Sequence, residues 1–130
     1  MLCPKHAYYA YAQTMVSTVD HPLEPIIILY ENTIESLNRA LSAIKAKDIN
    51  AKIKHTERAI TIIEGLLNSL NMESGGEIAL NLEGLYVYMI RELTLANLKN
   101  DGKRIEQIIP LLKELKEAWV QIKTDYPNSE

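Results

Sequence analysis

Apolar residues recur at alternating steps of four and three positions through four separate stretches of this chain. That rhythm specifies helix, because at about 100° per residue it gathers the apolar side chains on one side of an α-helix. From Leu23 onward it runs through Ile27, Tyr30, Ile34, Leu37, Leu41 and Ile44, with Ile26 and Leu29 widening the stripe. From about Asn50 it runs through Ile53, Thr56, Ile60, Ile63, Leu67 and Leu70, with Thr56 as the weak position. A third helix, Ser74 to Leu98, carries Ile78, Leu82, Leu85, Met89, Leu93 and Ala96. A fourth begins after Asn100 and Asp101 and aligns Ile105, Ile108, Leu112, Leu115, Trp119 and Ile122. The links near Lys47 to Asn50, Asn71 to Glu73 and Lys99 to Asp101 span only a few residues, which makes consecutive helices antiparallel neighbours. The expected architecture is all-α, an antiparallel up-down four-helix bundle.

Local signals set the expected ends. Pro22 and Pro25 suit a first helical turn, where backbone N–H groups lack intrahelical partners, and Asp20 is favoured over His21 as the cap. Ser74, Gly75, Gly76 and Glu77 read as a capping box opening the third helix. Pro110 falls inside the fourth helix and is expected to kink it. Ahead of the bundle, Ala7 to Val16 reads as a short helical arm carrying Tyr8, Tyr9, Tyr11 and Met15, followed by a break at Ser17 to His21. The domain organisation expected is one domain over 1–130, with 1–19 as arm, 22–124 as bundle and 125–130 as a frayed acidic tail.

The third helix carries more than a core stripe. On its far side Leu80, Val87, Leu95 and Leu98 form a second apolar line, interrupted by Gly84 and Arg91. A surface helix is polar there, so this helix is buried all round, lies in a membrane, or receives another chain on its outer face. With 130 residues, 47% hydrophobic and 24% charged, the chain fits one core and is too short to enclose a helix on every side. No uncharged apolar run reaches the roughly 18 residues of a membrane span, and Glu83, Arg91 and Glu92 interrupt this one. A partner is what remains, and a homodimer interface is the rival use of the same stripe.

Charge and chemistry narrow the classes further. A formal net charge of −3, from 14 Lys and Arg against 17 Asp and Glu, argues against nucleic-acid binding. The start of the chain shows no apolar signal-peptide core, and the single Cys3 makes no internal disulfide, so a cytoplasmic protein is expected. No inward Glu-x-x-His pair for a di-iron bundle occurs, and His6, His21 and His55 have no histidine or cysteine at ligand spacing and are expected to be exposed. His55 among Lys52, Lys54 and Arg58 raises a phosphotransfer bundle, but the Leu-Lys-Gly pattern of that family does not follow it. The expectation is therefore no enzyme, no cofactor and no metal. The basic stretch Lys45 to Arg58 reads as a solvated turn and helical face, or as a dock for an acidic partner.

Several short motifs then fall in order along nearly the whole chain. They are Tyr11, Val16 and Thr18; Pro22, Leu29-Tyr30-Glu31 and Ile34; Gly75-Gly76-Glu77-Ile78-Ala79 with Asn81-Leu82, Leu85-Tyr86, Tyr88-Met89, Leu93 and Ala96-Asn97; and Leu115, Ala118 and Trp119. Together they resemble the FliS family of flagellin export chaperones. One departure is Thr18-Val19-Asp20-His21-Pro22, a residue longer than the Thr-Ala-Ser-Pro-like turn of that family. The resemblance implies a cytoplasmic, non-enzymatic chaperone, monomeric and one-to-one with its client. It implies binding of the carboxy-terminal segment of flagellin, suppression of early polymerisation, and delivery to the cytoplasmic domain of the flagellar export gate. On that reading the client-contacting residues are Leu80, Val87, Leu95 and Leu98, then Tyr86, Ile90 and, in the arm, Tyr11.

Overall fold

The computed structural model describes residues 23–125, which form four helices: α1 (Leu23–Lys45), α2 (Ile49–Asn68), α3 (Met72–Lys99) and α4 (Gly102–Asp125). The arm with its tyrosines and Cys3, the Asp20 cap, His6, His21 and the residues after Asp125 lie outside the described residues. Side-chain contacts fix the helix directions. Glu24 and Glu31 of α1 pair with Lys123 and Lys116 of α4, and a Cβ added to Gly102 at the start of α4 would meet Leu41 near the end of α1 at 3.3 Å. Lys52 at the start of α2 reaches Asn97 at the end of α3, and Glu92 of α3 holds Arg104 of α4 at 2.8 Å. Each helix therefore runs antiparallel to both neighbours. Each packs on the helix before and after it, α4 closes onto α1, and the diagonal helices do not approach one another's backbones.

The space between the diagonals is filled by side chains. The chain has no phenylalanine, so tyrosines supply the large aromatic volume, and a buried phenol needs a hydrogen-bond partner. Tyr30 of α1 and Tyr86 of α3 are both buried, and their hydroxyls hydrogen-bond to each other across the middle of the bundle. Around them the core is mostly aliphatic, with Leu37, Ile63, Leu82, Met89, Leu93 and Leu112 fully enclosed and the Trp119 indole buried among them. On α4 all six residues of the expected stripe, Ile105 to Ile122, are buried. That helix runs unbroken through Pro110, whose ring lies on the exposed side, where the carbonyl four residues earlier that lacks its usual N–H can be reached by water.

On α1 and α2 the expected stripes are buried at Leu23, Ile27, Tyr30 and Leu37 and at Thr56 and Ile63, and between them the core face takes in small residues: Thr33, Ser36, Ala40 and Ala43 on α1, Ala59 on α2. These let the two backbones come close, and the larger Ile34, Leu41, Ile44, Ile60 and Leu67 are pushed to half-buried shoulders. Two expected core residues, Leu29 and Ile53, are consequently exposed. Lys52 takes the position next to Ile53 instead. It is only 4% exposed, and its ammonium donates to the Asn97 carbonyl at 2.5 Å, compensating the negative end of α3. The basic stretch from Lys45 to Arg58 is thus solvated except at this lysine. His55, expected exposed, is half-buried where α2 faces α1.

The hairpin ends are set by caps. Asp48 accepts from the N–H of Ala51 to start α2, and Asn100, in the left-handed region at φ 53°, closes α3 with its N–H on the Ala96 carbonyl. The start of α3 corrects the expected capping box. Asn71, not Ser74, is the cap and accepts from the Ser74 N–H at 2.9 Å, so the helix begins at Met72. One turn later Gly76, at φ 51° and ψ −129°, breaks the helical backbone just before Glu77. Only glycine occupies that region without strain.

Three stability effects follow. Gly76→Ala should lower stability by about 1–3 kcal/mol from backbone strain alone, since nothing lies within 4 Å of the added Cβ. Gly84→Ala, in regular helix with equally open surroundings, should raise it by about 1 kcal/mol. The Thr56 hydroxyl is buried without a partner among the described residues, so Thr56→Val should stabilise by about 1 kcal/mol. Thermal melts of the three variants give these signs directly.

Candidate functional site: an apolar flank on α2 and α3

The second line of apolar residues on α3 is on the outside of the bundle. Leu80 is 57% exposed, Val87 52% and Leu98 77%, while Leu82, Tyr86, Met89 and Leu93, interleaved with them in sequence, are buried. At about 100° per residue, Leu80, Val87 and Leu98 point outward and toward α2, on the side of α3 away from the Glu92 to Arg104 pair that marks α4. Gly84 and Arg91 lie on the same outer side, both exposed.

The structure sorts the remaining expected site residues. Leu95 is half-buried, and Ile90 is half-buried and packed on the core. Tyr86 is corrected: it is 2% exposed and tied to Tyr30, so its ring is part of the core and offers nothing to a partner. Its neighbour Val87 has rotated one position outward, which is why two adjacent residues play opposite parts. Tyr11 lies outside the described residues.

The residues missing from the expectation come from α2. Ile49 and Ile53 are exposed on the side of α2 that faces α3, with Ile60 and Leu67 half-buried along the same line. The antiparallel register set by Lys52 and Asn97 brings Ile49 and Ile53 to the level of the Leu98 turn and Leu67 toward Leu80. The site is therefore a two-helix flank, about 27 Å long from Leu80 to Leu98 at 1.5 Å per residue. The signal was present in the sequence as the isoleucines flanking Lys52, but a lysine in a seam was not an expected occupant.

A separate concavity of about 1320 Å³ opens on the α1 side of the bundle, bounded by α2 and α4. Ile34, Ala43, Ala51 and Val120 give it an apolar floor, and Glu31 and Lys116, paired at 3.1 Å, are on its rim. His55 lines this hollow, with no cluster of metal-ligating side chains among the described residues. No helix of the described residues is long and apolar enough to cross a membrane.

A four-helix scaffold with a stable core and an uncovered apolar flank on one hairpin is the class these features define. The family model described as flagellar protein FliS matches residues 4–126. Similar proteins include the flagellar secretion chaperone FliS of Salmonella typhimurium, 43% identical over 87% of this chain and 87% of its own. That of Campylobacter jejuni is 39% identical over 89% of this chain and 90% of its own. That of Bacillus subtilis is 30% identical over 90% and 86%. The chain belongs to the FliS family, and with that family it is a flagellar export chaperone.

The two faces of α3 separate experimentally. Leu82→Asp should unfold the bundle, because an unpaired carboxylate in the core costs several kcal/mol, on the order of 4 or more. Val87→Asp should leave the far-ultraviolet circular dichroism unchanged and the melting temperature within about 2 °C, a surface substitution being worth about 0.5 kcal/mol or less.

Proposed function

We propose that this chain is a cytoplasmic chaperone that binds the carboxy-terminal segment of flagellin on the α2 and α3 flank. It keeps that segment from polymerising and presents it to the cytoplasmic domain of the flagellar export gate. The observation that carries the reading is the exposure of Leu80, Val87 and Leu98 on a helix whose other face is the bundle core, in a chain of this family. Leu95, half-buried beside them, completes the α3 contribution, and Ile49 and Ile53 add the α2 wall.

The mechanism is coupled folding and burial. A client segment without structure of its own lays an amphipathic helix along the flank, anchoring through residues spaced i, i+3, i+4 and i+7. Ordering it costs entropy, which apolar burial at roughly 25 cal/mol per Å² offsets. The covered client surface is no longer free for filament assembly. Nothing in this scheme requires nucleotide: release follows when a competing surface takes the same apolar face. An open Gly84 on the outer side of α3 lets a helix backbone approach more closely than any other residue there would.

Mixed with full-length flagellin, the protein should form a soluble one-to-one complex and stop filament growth, whereas flagellin lacking its carboxy-terminal segment should not bind. Titration calorimetry should show a negative heat-capacity change, and binding should survive half-molar salt, because apolar contacts are not screened. Val87→Asp should weaken the complex at least tenfold. A stable dimer that ignores flagellin would instead assign the flank to self-association. Salt-abolished binding would move the site to the basic Lys45 to Arg58 stretch.

A further inference from the structure

Charge along the α2 and α3 hairpin is segregated by end. Between Ala59 and Ile90, which covers the far half of both helices and their connection, there is no lysine or arginine, and Glu64, Glu73, Glu77 and Glu83 are all exposed. The near half, 45–58 with 91–104, carries nine Lys and Arg against four Asp and Glu. Of those four acids, Glu92 and Asp101 are occupied by Arg104 at 2.8 and 3.2 Å and Asp48 accepts the Ala51 N–H, which leaves Glu57 as the remaining, exposed acid of that half. Lys45, Lys47, Lys54, Arg58, Lys99 and Lys103 are exposed there. The apolar flank connects the two ends: Leu80 lies in the acidic half, and Leu98 with Ile49 and Ile53 in the basic half.

We propose that the flank reads the direction of the helix it binds: an amphipathic client helix of about 18 residues docks with its acidic end beside Leu98 and its basic end beside Leu80. This rests on the flank being the client site. The apolar residues supply affinity, but leucine, valine and isoleucine side chains cannot tell one end of a helix from the other. The charges can. The flank is roughly 27 Å long, about three Debye lengths at physiological ionic strength, so each end is sensed separately. A reversed helix would set its acidic residues against Glu64 and Glu83 and its basic residues against Lys54 and Arg91. Such like-charge juxtaposition suppresses the wrong pose while adding little to total affinity. Direction matters to an export chaperone because it decides which end of the client emerges from the bundle.

The test uses two synthetic 20-residue amphipathic peptides sharing one apolar face, the first with glutamates at its amino end and lysines at its carboxy end, the second with these exchanged. A nitroxide is attached in a Cys3→Ser background to Asn50→Cys at the basic end or Asn81→Cys at the acidic end, both exposed uncharged positions. Paramagnetic broadening should strike the glutamate end of both peptides from position 50 and the lysine end of both from position 81. The variant carrying K54E, R91E, E64K and E83K should turn both peptides round while changing affinity less than about tenfold. Broadening of the same terminus in both peptides, of both termini equally, or no binding by either peptide overturns the proposal. The flagellin carboxy-terminal segment, titrated in parallel, keeps the two readings apart: oriented peptides with no flagellin binding defeat the client assignment alone, and flagellin binding with unoriented peptides defeats the directional inference alone.

Discussion

In a bundle of four helices each member touches two neighbours and not the third, so about half of every helix surface must face water. Everything else in this protein is arranged around that limit. One side of each helix can be made apolar at no risk, and the diagonal gap left between helices that do not meet must be filled. Here two phenols fill it, and the hydrogen bond between them gives each buried hydroxyl a polar partner. Once Tyr86 is drawn into that position, Val87 is forced out, and the outer line through Leu80, Val87 and Leu98 is fixed by the same helical phase that builds the core.

Stability and recognition are therefore coupled in phase but separated in space. α1 and α4 are joined by the Glu24 to Lys123 and Glu31 to Lys116 pairs, which at their exposure contribute about 0–1 kcal/mol each, and expose Ile28, Leu29 and Val120 among otherwise mostly polar outer residues. α2 and α3 keep leucine and isoleucine on the outside, where they do nothing for the isolated bundle. A chain selected only to fold would place lysine and glutamate there. Retaining apolar residues on one hairpin is intelligible when another chain covers them for part of the protein's working life.

Much of this was legible from spacing. α4 was readable in full, because its large aliphatic residues are also its buried ones. α1 and α2 were readable as helices and in part as core, through Leu23, Ile27, Tyr30, Leu37, Thr56 and Ile63, but the spacing of large residues passes over Ala40, Ala43 and Ala59, which are buried between them. The outer line of α3 was visible since a second stripe has no use inside a small bundle. Tyr86 was misplaced because what holds it, the Tyr30 hydroxyl, is 56 residues away in the chain and leaves no local trace. The α2 half of the flank was hidden behind Lys52, whose role depends on the end of a different helix. The start of α3 was read at Ser74, whereas Asn71 three residues earlier takes the cap, and Gly76 breaks the helix one turn in through a backbone angle that composition does not reveal.

Lys52 also has a chemical consequence. Its amine is shielded between α2 and α3 and held by the Asn97 carbonyl, while Lys45, Lys47, Lys54 and Lys99 stand in solvent around it. Acylating reagents that mark accessible amines will modify those neighbours at once and Lys52 only when the two helices part. The protein thus contains its own clock for hairpin opening, placed directly beneath the surface where a client would sit. A bound helix that bridges α2 and α3 would slow that clock without touching the lysine itself.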